Sequence, residues 1–236
     1  MGRVKQVRQI SSVLNISLQP RAIPLRSAKP AERTASRDVR RRQMIEATIV
    51  EIAERGISGF KLSDVAKSAG VAVGMVNLHF TTKAALLDQT LDHLSDEYQA
   101  CWKAAIGARG LDPARRLYAM MAADFDPAVC TRRRIAVWHA FYGEARARPA
   151  YRERCALNEA DHHEHLSKLC AALTRRSGYK NISAEQAARM LAALTDGMWL
   201  DILLSGGRID RDGSLETLDH FLMALFPKDF PLRPEA

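Results

Sequence analysis

Apolar residues recur at helical spacing over almost the whole chain after residue 36. In the first such stretch, Ile45, Ile49 and Ile52 lie three or four positions apart, and charged residues mostly occupy the other positions, as in a helix that buries one face. The sequence shows no convincing alternation of apolar and polar residues bounded by hairpin turns, which is the pattern of a half-buried strand. An all-α fold is therefore predicted. Its helices are expected over residues 38–55, 62–69, 73–79, 82–107, 113–123, 127–147, 149–176 and 183–204, with a last helix from 214 to just before 227.

Capping residues predict several helix starts. Asp126-Pro127 is typical of an N-cap followed by proline at the first helical position, where the missing N–H costs no intrahelical hydrogen bond. Ser183 begins a capping box with the glutamine three residues later. Residues 210–213 resemble the start of a calcium-binding loop, but the further acidic ligands are missing. We therefore predict a turn there that leads to a helix capped by Ser214.

The segment 61–80 has the pattern of two short helices joined at a glycine. Val65 and Val76 are spaced to bury between the helices, and Gly70 can adopt the left-handed backbone that the turn needs. This is the form of a DNA-binding helix-turn-helix, whose second helix enters the major groove. Gly74 has no Cβ and lets the start of that helix approach a phosphate or base edge closely. The residues expected to face outward are Val73, Met75, Asn77, Leu78 and His79.

Charge is distributed unevenly along the chain. The 236 residues include 35 Lys and Arg against 27 Asp and Glu, which gives a net charge of +8 and an isoelectric point near 9.6. Residues 1–45 hold eleven of the basic residues and two acidic ones, so the excess lies at one end. This balance favours a polyanionic partner. We expect residues 1–35 to form a disordered basic arm; a misassigned start and an organelle import signal are the alternatives.

Several classes of protein are excluded. The chain is 47% hydrophobic and 26% charged, as in globular proteins. No apolar run approaches the roughly 20 residues of a membrane-spanning helix. Gly-x-Ser-x-Gly, a phosphate-binding glycine loop and His-Glu-x-x-His are absent, so we predict neither an enzyme nor a cofactor. The cysteines lie far apart, which indicates reduced thiols in the cytoplasm. They are Cys101, Cys130, Cys155 and Cys170.

One polar cluster leaves a metal-binding alternative open. Asp161, His162, His163 and His165 include pairs three and four residues apart, which can share a metal ion on one helix face. Clustered polar residues on a helix are more often a solvated face, so no metal site is predicted. A small helical enzyme or metal-binding protein built around these histidines is the alternative from a different functional class.

Residues at the predicted helix boundaries follow the pattern of a known family. They are Ala69-Gly70-Val71, Gly74, His79-Phe80, Lys83 and Leu86-Leu87. With these in place, residues 40–95 resemble the DNA-binding domain of TetR-type transcriptional repressors. The resemblance implies groove contacts from residues 72–79 and a backbone-phosphate contact from Lys83, where a cation and helix N-terminal amides together favour an anion. The implied DNA-binding residues are Lys61, Ala72, Val73, Gly74, Met75, Asn77, Leu78, His79 and Lys83.

The chain departs from that family pattern at three positions. Ala72 stands where the family usually has Ser or Thr, so the third helix lacks a side-chain cap worth about 1 kcal/mol. Lys61 replaces a common capping Thr, and Asn77 stands where Tyr is frequent. We expect these changes to affect the operator sequence more than the fold.

Aromatic residues cluster in the second half of the chain. Trp138, Phe141 and Tyr142 share one helix face, and Asp196 and Trp199 are one turn apart on a later helix. Aromatic rings beside a carboxylate can bind a quaternary ammonium ion by cation–π attraction. Phe141 is expected in the core, and the alternative that the other aromatics also only fill the core stays open.

The stretches 137–142, 194–200 and 204–206 resemble the C-terminal domain of the choline-responsive repressors of glycine betaine synthesis. The resemblance implies a ligand site formed by Trp138, Tyr142, Asp196 and Trp199.

These features predict a two-domain, all-α regulator in the cytoplasm. We assign residues 1–35 to the arm, 36–83 to the helix-turn-helix domain, 84–227 to a helical regulatory and dimerisation domain, and 228–236 to a tail. The expected partners are a double-stranded DNA operator, a small-molecule inducer such as choline, and a second copy of the chain, with no membrane. A repressor of the same type for an unrelated small ligand is the alternative.

A homodimer is predicted because one short recognition helix contacts too few base pairs for specificity. Two such helices about 34–36 Å apart read successive faces of the major groove. By the family resemblance, the helices 183–204 and 214–226 pair with their copies as a four-helix bundle. The small residues expected to allow close approach there are Ala187, Ala188, Ala192 and Ala193.

Overall fold

The computed structural model of the chain describes residues 37–180, 182–206 and 209–231. This part of the chain contains helices and no strands, which confirms the all-α prediction. The described residues from 41 onward form one compact unit, and residues 37–40 are the first turn of a helix. The predicted arm, 1–35, lies outside the described residues. The helices are α1 (Arg37–Gly59), α2 (Leu62–Ser68), α3 (Val73–His79), α4 (Lys83–Ile106), α5 (Pro113–Ala123), α6 (Arg132–Glu144), α7 (Pro149–Ser177), α8 (Ala184–Leu204) and α9 (Arg211–Leu225).

α1 supplies the first stripe of core residues. Met44, Ile49 and Ile52 lie on its inward face and are almost completely buried. Gly56 interrupts the helix with φ 71° and ψ 169°, a backbone conformation that is accessible to glycine at little cost. A short helical segment then continues to Gly59, so the regular part of α1 ends where the sequence predicts.

α2 and α3 form the predicted helix-turn-helix. Val65 and Val76, one from each helix, are fully buried. Gly70 adopts φ 64°, and the N–H of Val71 donates to the carbonyl of Ala66 at 2.9 Å, which closes the turn. Each helix has seven residues, too few to be stable alone, so their packing against the neighbouring helices must maintain them.

α4 extends from the helix-turn-helix into the second half of the molecule. The hydroxyl of Thr82 caps it by accepting from the N–H of Ala85 at 3.0 Å. Its first half buries Leu86 and Leu94, and its last turns bury Trp102 completely. It packs against α5 and α7, and one continuous apolar core runs from α1 to α8.

The predicted helix start at Asp126-Pro127 is wrong. α6 begins five residues later, at the position after Thr131, whose hydroxyl accepts from the N–H of Arg134 at 3.2 Å. The Asp126 carboxylate instead accepts from the N–H of Ala128 at 2.8 Å. An aspartate that bonds its own backbone two residues on forms a turn, and that local bond competes with the cap.

The predicted start of the last helix at Ser214 is also wrong. The carboxylate of Asp210 accepts from the N–H of Gly213 at 2.9 Å, so it caps α9, which begins one residue after it. Ser214 lies one turn inside the helix, where its hydroxyl donates to the carbonyl of Asp210 at 2.8 Å. The Asp-rich turn is therefore the cap itself.

Two of the small residues expected at a dimer interface are buried within the subunit. Ala187 and Ala188 are completely buried, on the side of α8 that packs along α7. Ala192 is half-buried, and Ala193 is exposed. Small side chains let α7 and α8 approach closely, so the alanine pattern mainly reports packing inside one chain. The capping box at Ser183 is present as predicted, with both hydrogen bonds at 3.1 Å.

None of the described helices combines enough length with enough apolar character to cross a bilayer. The four cysteines, all in the described part of the chain, are free thiols.

Candidate DNA-binding and ligand-binding sites

α3 presents most of its predicted outward residues to solvent. Leu78 is 73% exposed, and Val73 and Asn77 are also exposed. Met75 and His79 are half-buried, so they face the groove side only in part. A large apolar side chain such as Leu78 on a solvated helix is available to contact a thymine methyl group or another partner surface.

Gly74 has no structural reason to be a glycine within the subunit. Its φ is not in the left-handed region, and a Cβ built on it would meet no atom within 4 Å. Because Gly costs about 1 kcal/mol relative to Ala in a helix, an external surface that approaches closely is a physical explanation for its presence.

The helix starts at Lys61 and Ala72 lack side-chain caps, as the sequence predicts. Neither residue provides a side-chain hydrogen bond to its helix. At α2, the N–H of Lys61 instead donates to the carboxylate of Asp64 at 2.8 Å. The Lys61 side chain remains exposed, and its ammonium group can meet an anion at this helix N-terminus.

Lys83 lies at the start of α4 beside Phe60. Its Nζ donates to the Phe60 carbonyl at 2.6 Å and sits 3.9 Å from the centre of the Phe60 ring. Partial burial lowers the pKa of this lysine. An ammonium group has three donors, so two remain for a phosphate. The phosphate contact therefore stays a prediction, and the structure adds a second role for Lys83 in positioning the chain before α2.

A cavity of about 380 Å³ lies in the second half of the molecule. All four predicted ligand residues, Trp138, Tyr142, Asp196 and Trp199, line it. The structure therefore brings together side chains from α6 and α8 that the sequence could only assign to separate helix faces. The other lining residues are Tyr98, Asp124, Cys155, Ala156, Glu159, Ala160, His162, His163, Ala192 and Thr195.

Four aromatic rings form one wall of the cavity. The Tyr98 ring lies 6.5 Å from that of Trp138 and 6.0 Å from that of Trp199, both nearly perpendicular to it. The ring of Tyr142 lies 5.9 Å from that of Trp138. Phe141 is fully buried against Tyr151 and does not line the cavity, in agreement with its expected core role.

Three carboxyl groups line the same cavity. Asp124 is 2% exposed and accepts from the Tyr98 hydroxyl at 2.8 Å. Burial raises the pKa of Asp124 to about 7, although hydrogen bonds from Tyr98 and Thr195 partly oppose the shift. Burial also raises the pKa of Asp196, helped by the charge of Asp124, and raises that of Glu159, helped by the charge of Asp196. No Lys or Arg is among the described residues that line the cavity, so its charge is negative.

Asp124 also positions an indole ring. Its backbone carbonyl accepts from the Nε1–H of Trp199 at 2.9 Å, which fixes that ring at the cavity wall. Tyr98 and Asp124 were not predicted as site residues. Tyr98 follows the buried Leu94 by four residues and so looks like a core position of α4, and Asp124 follows α5 in a turn with no periodic pattern. No local signal therefore identifies either one.

The three histidines of the metal-binding alternative point to different partners. His162 lines the cavity with its ring 5.6 Å from Tyr98, and burial lowers its pKa to about 4, which leaves it neutral at pH 7. His163 bonds Glu185 at 3.0 Å, while His165 Nδ1 lies 2.8 Å from the carbonyl of Asp161. In the described part of the chain, the potential metal-ligating atoms that lie within 4.8 Å of one another belong instead to Glu46, His93 and Glu97.

Comparisons with known proteins agree with this architecture. Residues 44–90 match the bacterial regulatory proteins of the tetR family, and residues 113–227 match the C-terminal domain of the BetI-type transcriptional repressors. The HTH-type transcriptional regulator BetI of Burkholderia cenocepacia is 34% identical over 194 residues, which cover 82% of this chain and 97% of the relative. The corresponding regulator of Paraburkholderia xenovorans is 34% identical over 187 residues and covers 79% and 93%.

Solved structures share the fold. A transcriptional regulator from Rhodococcus sp. Rha1 is 28% identical and superposes with a TM-score of 0.67 over 82% of this chain and 99% of that one. A protein from Saccharomonospora viridis, crystallised in complex with choline, is 20% identical and has a TM-score of 0.67 over 77% of this chain and 94% of its own.

Proposed function

Because the chain belongs to the TetR family of transcriptional regulators and carries a BetI-type C-terminal domain, we propose that it is a repressor that choline or a related quaternary ammonium compound releases from DNA. In this proposal, residues 36–83 bind the operator and residues 84–227 bind the ligand and a second subunit. The family members and relatives are transcriptional regulators, so an enzymatic role is excluded on those grounds.

The chemistry of the cavity carries the choice of ligand. Trp138, Tyr142 and Trp199 offer π faces, each of which attracts a nearby cation by about 0.5–2 kcal/mol. Asp196 and Glu159 add negative charge, and no Lys or Arg of the described lining competes with a ligand cation. The Saccharomonospora viridis neighbour with bound choline supports the same ligand class.

An exposed apolar stripe supports the proposed homodimer. Met190, Leu200 and Leu204 are all exposed on α8, and the exposed Ala193 and Gly197 lie between them at helical spacing. Exposed apolar patches of this kind mark interaction surfaces. A second α8 packed here would give a symmetric dimer with two copies of α3, the number that a palindromic operator requires.

Titration calorimetry with three ligands tests the cation-binding site. Choline is expected to bind at least about tenfold more tightly than its uncharged isostere 3,3-dimethylbutan-1-ol, because the isostere loses cation–π and Coulomb attraction of more than about 1.4 kcal/mol. Glycine betaine is expected to bind more weakly than choline because its carboxylate would face Asp196 and Glu159. Asp196→Asn should weaken choline binding, whereas Asp201→Asn, an exposed change on the same helix, should not. Equal affinities for choline and the isostere would contradict the proposed ligand class.

Binding to duplex DNA tests regulation itself. The protein is titrated into a fluorescent duplex from the region upstream of its own gene, at low and at physiological salt, with and without choline. We expect salt-sensitive binding that choline weakens. Binding that ignores choline would retain the regulator and remove choline as its ligand.

A further inference from the structure

A partly buried ion cluster connects the cavity wall to the helix-turn-helix. It consists of Glu46 on α1, His93 and Glu97 on α4, and Arg134 on α6, and is termed here the relay cluster. The guanidinium of Arg134 lies 2.8 Å from Glu97 and 3.4 Å from Glu46. His93 Nε2 lies 2.9 Å from Glu46 and 3.4 Å from Glu97. One arginine thus joins three helices through charged hydrogen bonds.

The two basic members of the relay cluster are more buried than the partners of an ordinary surface ion pair, whereas the side chains of Glu46 and Glu97 are 42% and 26% exposed. The side chains of Arg134 and His93 are 18% and 13% exposed. Charged hydrogen bonds away from water are stronger than exposed ones and depend on their geometry. A metal ion is not needed at Glu46, His93 and Glu97, because Arg134 already supplies a positive charge between the two carboxylates. The cluster is therefore a structural connection rather than an ion-binding site.

Each end of the relay cluster leads to a functional element within one helical turn. On α6, Arg134 precedes Trp138 by four residues, and Trp138 lines the cavity. On α1, Gln43 precedes Glu46 by three residues, and its side-chain amide donates to the carbonyl of Ala69 at 2.7 Å. Ala69 ends α2 immediately before the turn to α3. Hydrogen bonds between the helices, joined by one turn of α6 and one turn of α1, thus connect the cavity to the helix-turn-helix.

We propose that Arg134, through Glu46 and Gln43, couples occupation of the cavity to the position of the helix-turn-helix. The inference rests on the proposed function, since it names how that site regulates DNA binding. A ligand that packs against Trp138 shifts the start of α6, and Arg134 cannot then keep both its 2.8 Å bond to Glu97 and its longer, 3.4 Å bond to Glu46. Since a change in state requires an element with two discrete arrangements, breakage of these bonds releases α1 and, with it, the carbonyl of Ala69.

Intrinsic fluorescence provides a readout that does not depend on choline. The protein has three tryptophans, and all of them surround the cavity. Trp138 and Trp199 line it, and the ring of Trp102 lies 5.5 Å from that of the lining residue His162. By thermodynamic reciprocity, a coupled operator must perturb the cavity as the ligand perturbs the operator. A change in tryptophan emission on binding DNA therefore measures the coupling in the direction from the helix-turn-helix to the cavity.

The experiment uses an operator duplex selected from a random pool by the full-length wild-type protein. Two quantities are measured for each variant: the change in tryptophan emission at saturating duplex, and the factor by which choline chloride weakens duplex binding. In the wild type we expect a change in emission and a factor of at least about ten. Arg134→Gln should remove most of the emission change and reduce the factor to below about twofold, while choline affinity stays within about threefold of wild type. Gln43→Ala should have the same effect from the other end.

Arg133→Gln is the matched control, because it removes the same charge from the neighbouring exposed position on α6. This variant should keep the wild-type change in tryptophan emission and the wild-type factor by which choline weakens duplex binding. If Arg134→Gln does not unfold cooperatively on heating, it is not a folded variant, and the result for Gln43→Ala then tests the proposal alone. Wild-type coupling in the folded variants would overturn the relay and leave the proposed function intact. If the wild-type protein selects no duplex, both the relay and the proposed function are overturned. If it binds a duplex but choline does not weaken that binding, only the choline proposal is overturned, and the emission changes still test the relay.

Discussion

At the residue scale, Asp124 shows how a single buried carboxyl group sets the chemistry of the cavity. It is 2% exposed and is held by the Tyr98 hydroxyl, with a pKa raised to about 7 by burial. Near neutral pH the group therefore exchanges between a neutral and a charged form. A cationic ligand favours the charged form, so ligand binding and proton release are linked at this position.

Asp124→Asn should remove most of that linkage. In the wild type, choline affinity should rise as the pH increases from 6 to 8, because ionised Asp124 attracts the cation; in the variant the rise should be much smaller. Calorimetry at several pH values measures it. Asp201→Asn, which is exposed on α8, should keep the wild-type slope. A variant that retains the full slope would show that another group titrates.

The same raised pKa affects stability with the opposite trend. Between pH 4 and 7 folded Asp124 keeps a proton that the unfolded chain releases, so the wild-type free energy of unfolding should fall as the pH rises through this window. Relative to Asp124→Asn, the wild-type free energy of unfolding should decrease by on the order of 4 kcal/mol over this window. Urea unfolding of both proteins at pH 4.5 and 7.5 measures the difference.

Residue patterns on one helix were predictable, and contacts between helices were not. Trp138 and Tyr142 share a face by their spacing alone, as do Asp196 and Trp199. Tyr98 and Asp124 enter the site because α4 and the end of α5 meet there, and that alignment depends on how the whole core packs. The relay cluster has the same origin, because Arg134 and Glu46 are 88 residues apart.

At the element scale, local chemistry set most helix ends and failed where two local interactions competed. Gly70 and Ser183 behave as their sequence context predicts. Asp126 was expected to cap a helix but bonds the nearby N–H of Ala128, so Thr131 caps α6 instead. Both aspartate interactions are local and similar in energy, and only the packing of the following helix decides between them.

The start of α4 gives a prediction for DNA binding. Lys83→Ala should weaken binding to specific and non-specific duplexes alike, and it should lower the salt dependence of binding by about one phosphate contact. Its lost hydrogen bond to Phe60 should also lower the melting temperature slightly. Lys103→Ala, on the last turn of the same helix beside Asp161, is the control and should leave both the affinity and its salt slope unchanged. An unchanged slope for Lys83→Ala would show that Lys83 does not contact phosphate.

At the scale of the whole molecule, the succession of a helix-turn-helix and a longer helical region was predictable from the sequence, but the face of α8 that is proposed for dimerisation was not. Ala187 and Ala188 were expected to face a partner and instead pack inside the chain. Small residues permit close helix approach both within one chain and between two chains, so their spacing cannot distinguish an internal contact from a subunit interface. The exposed stripe on α8 became visible only with the fold.

The stripe predicts how the dimer can be broken. A Leu200→Glu, Leu204→Glu double variant should sediment as a monomer and lose operator binding, because each subunit would bury two unpaired charges at the interface. Leu157→Glu on α7 is a matched control, since Leu157 is 73% exposed and Leu204 74%. Analytical ultracentrifugation distinguishes the outcomes. If the double variant remains dimeric, the interface lies elsewhere.

The length of α4 has a mechanical consequence. With 24 residues, the helix is about 36 Å long, and it extends from the helix-turn-helix to the region of the cavity. A tilt of only about 5° at the cavity end moves the other end by about 3 Å. In a symmetric pair the two displacements add to about 6 Å, nearly two base-pair steps of about 3.4 Å. In the proposed dimer, a rotation too small to disturb the core would therefore misalign both copies of α3.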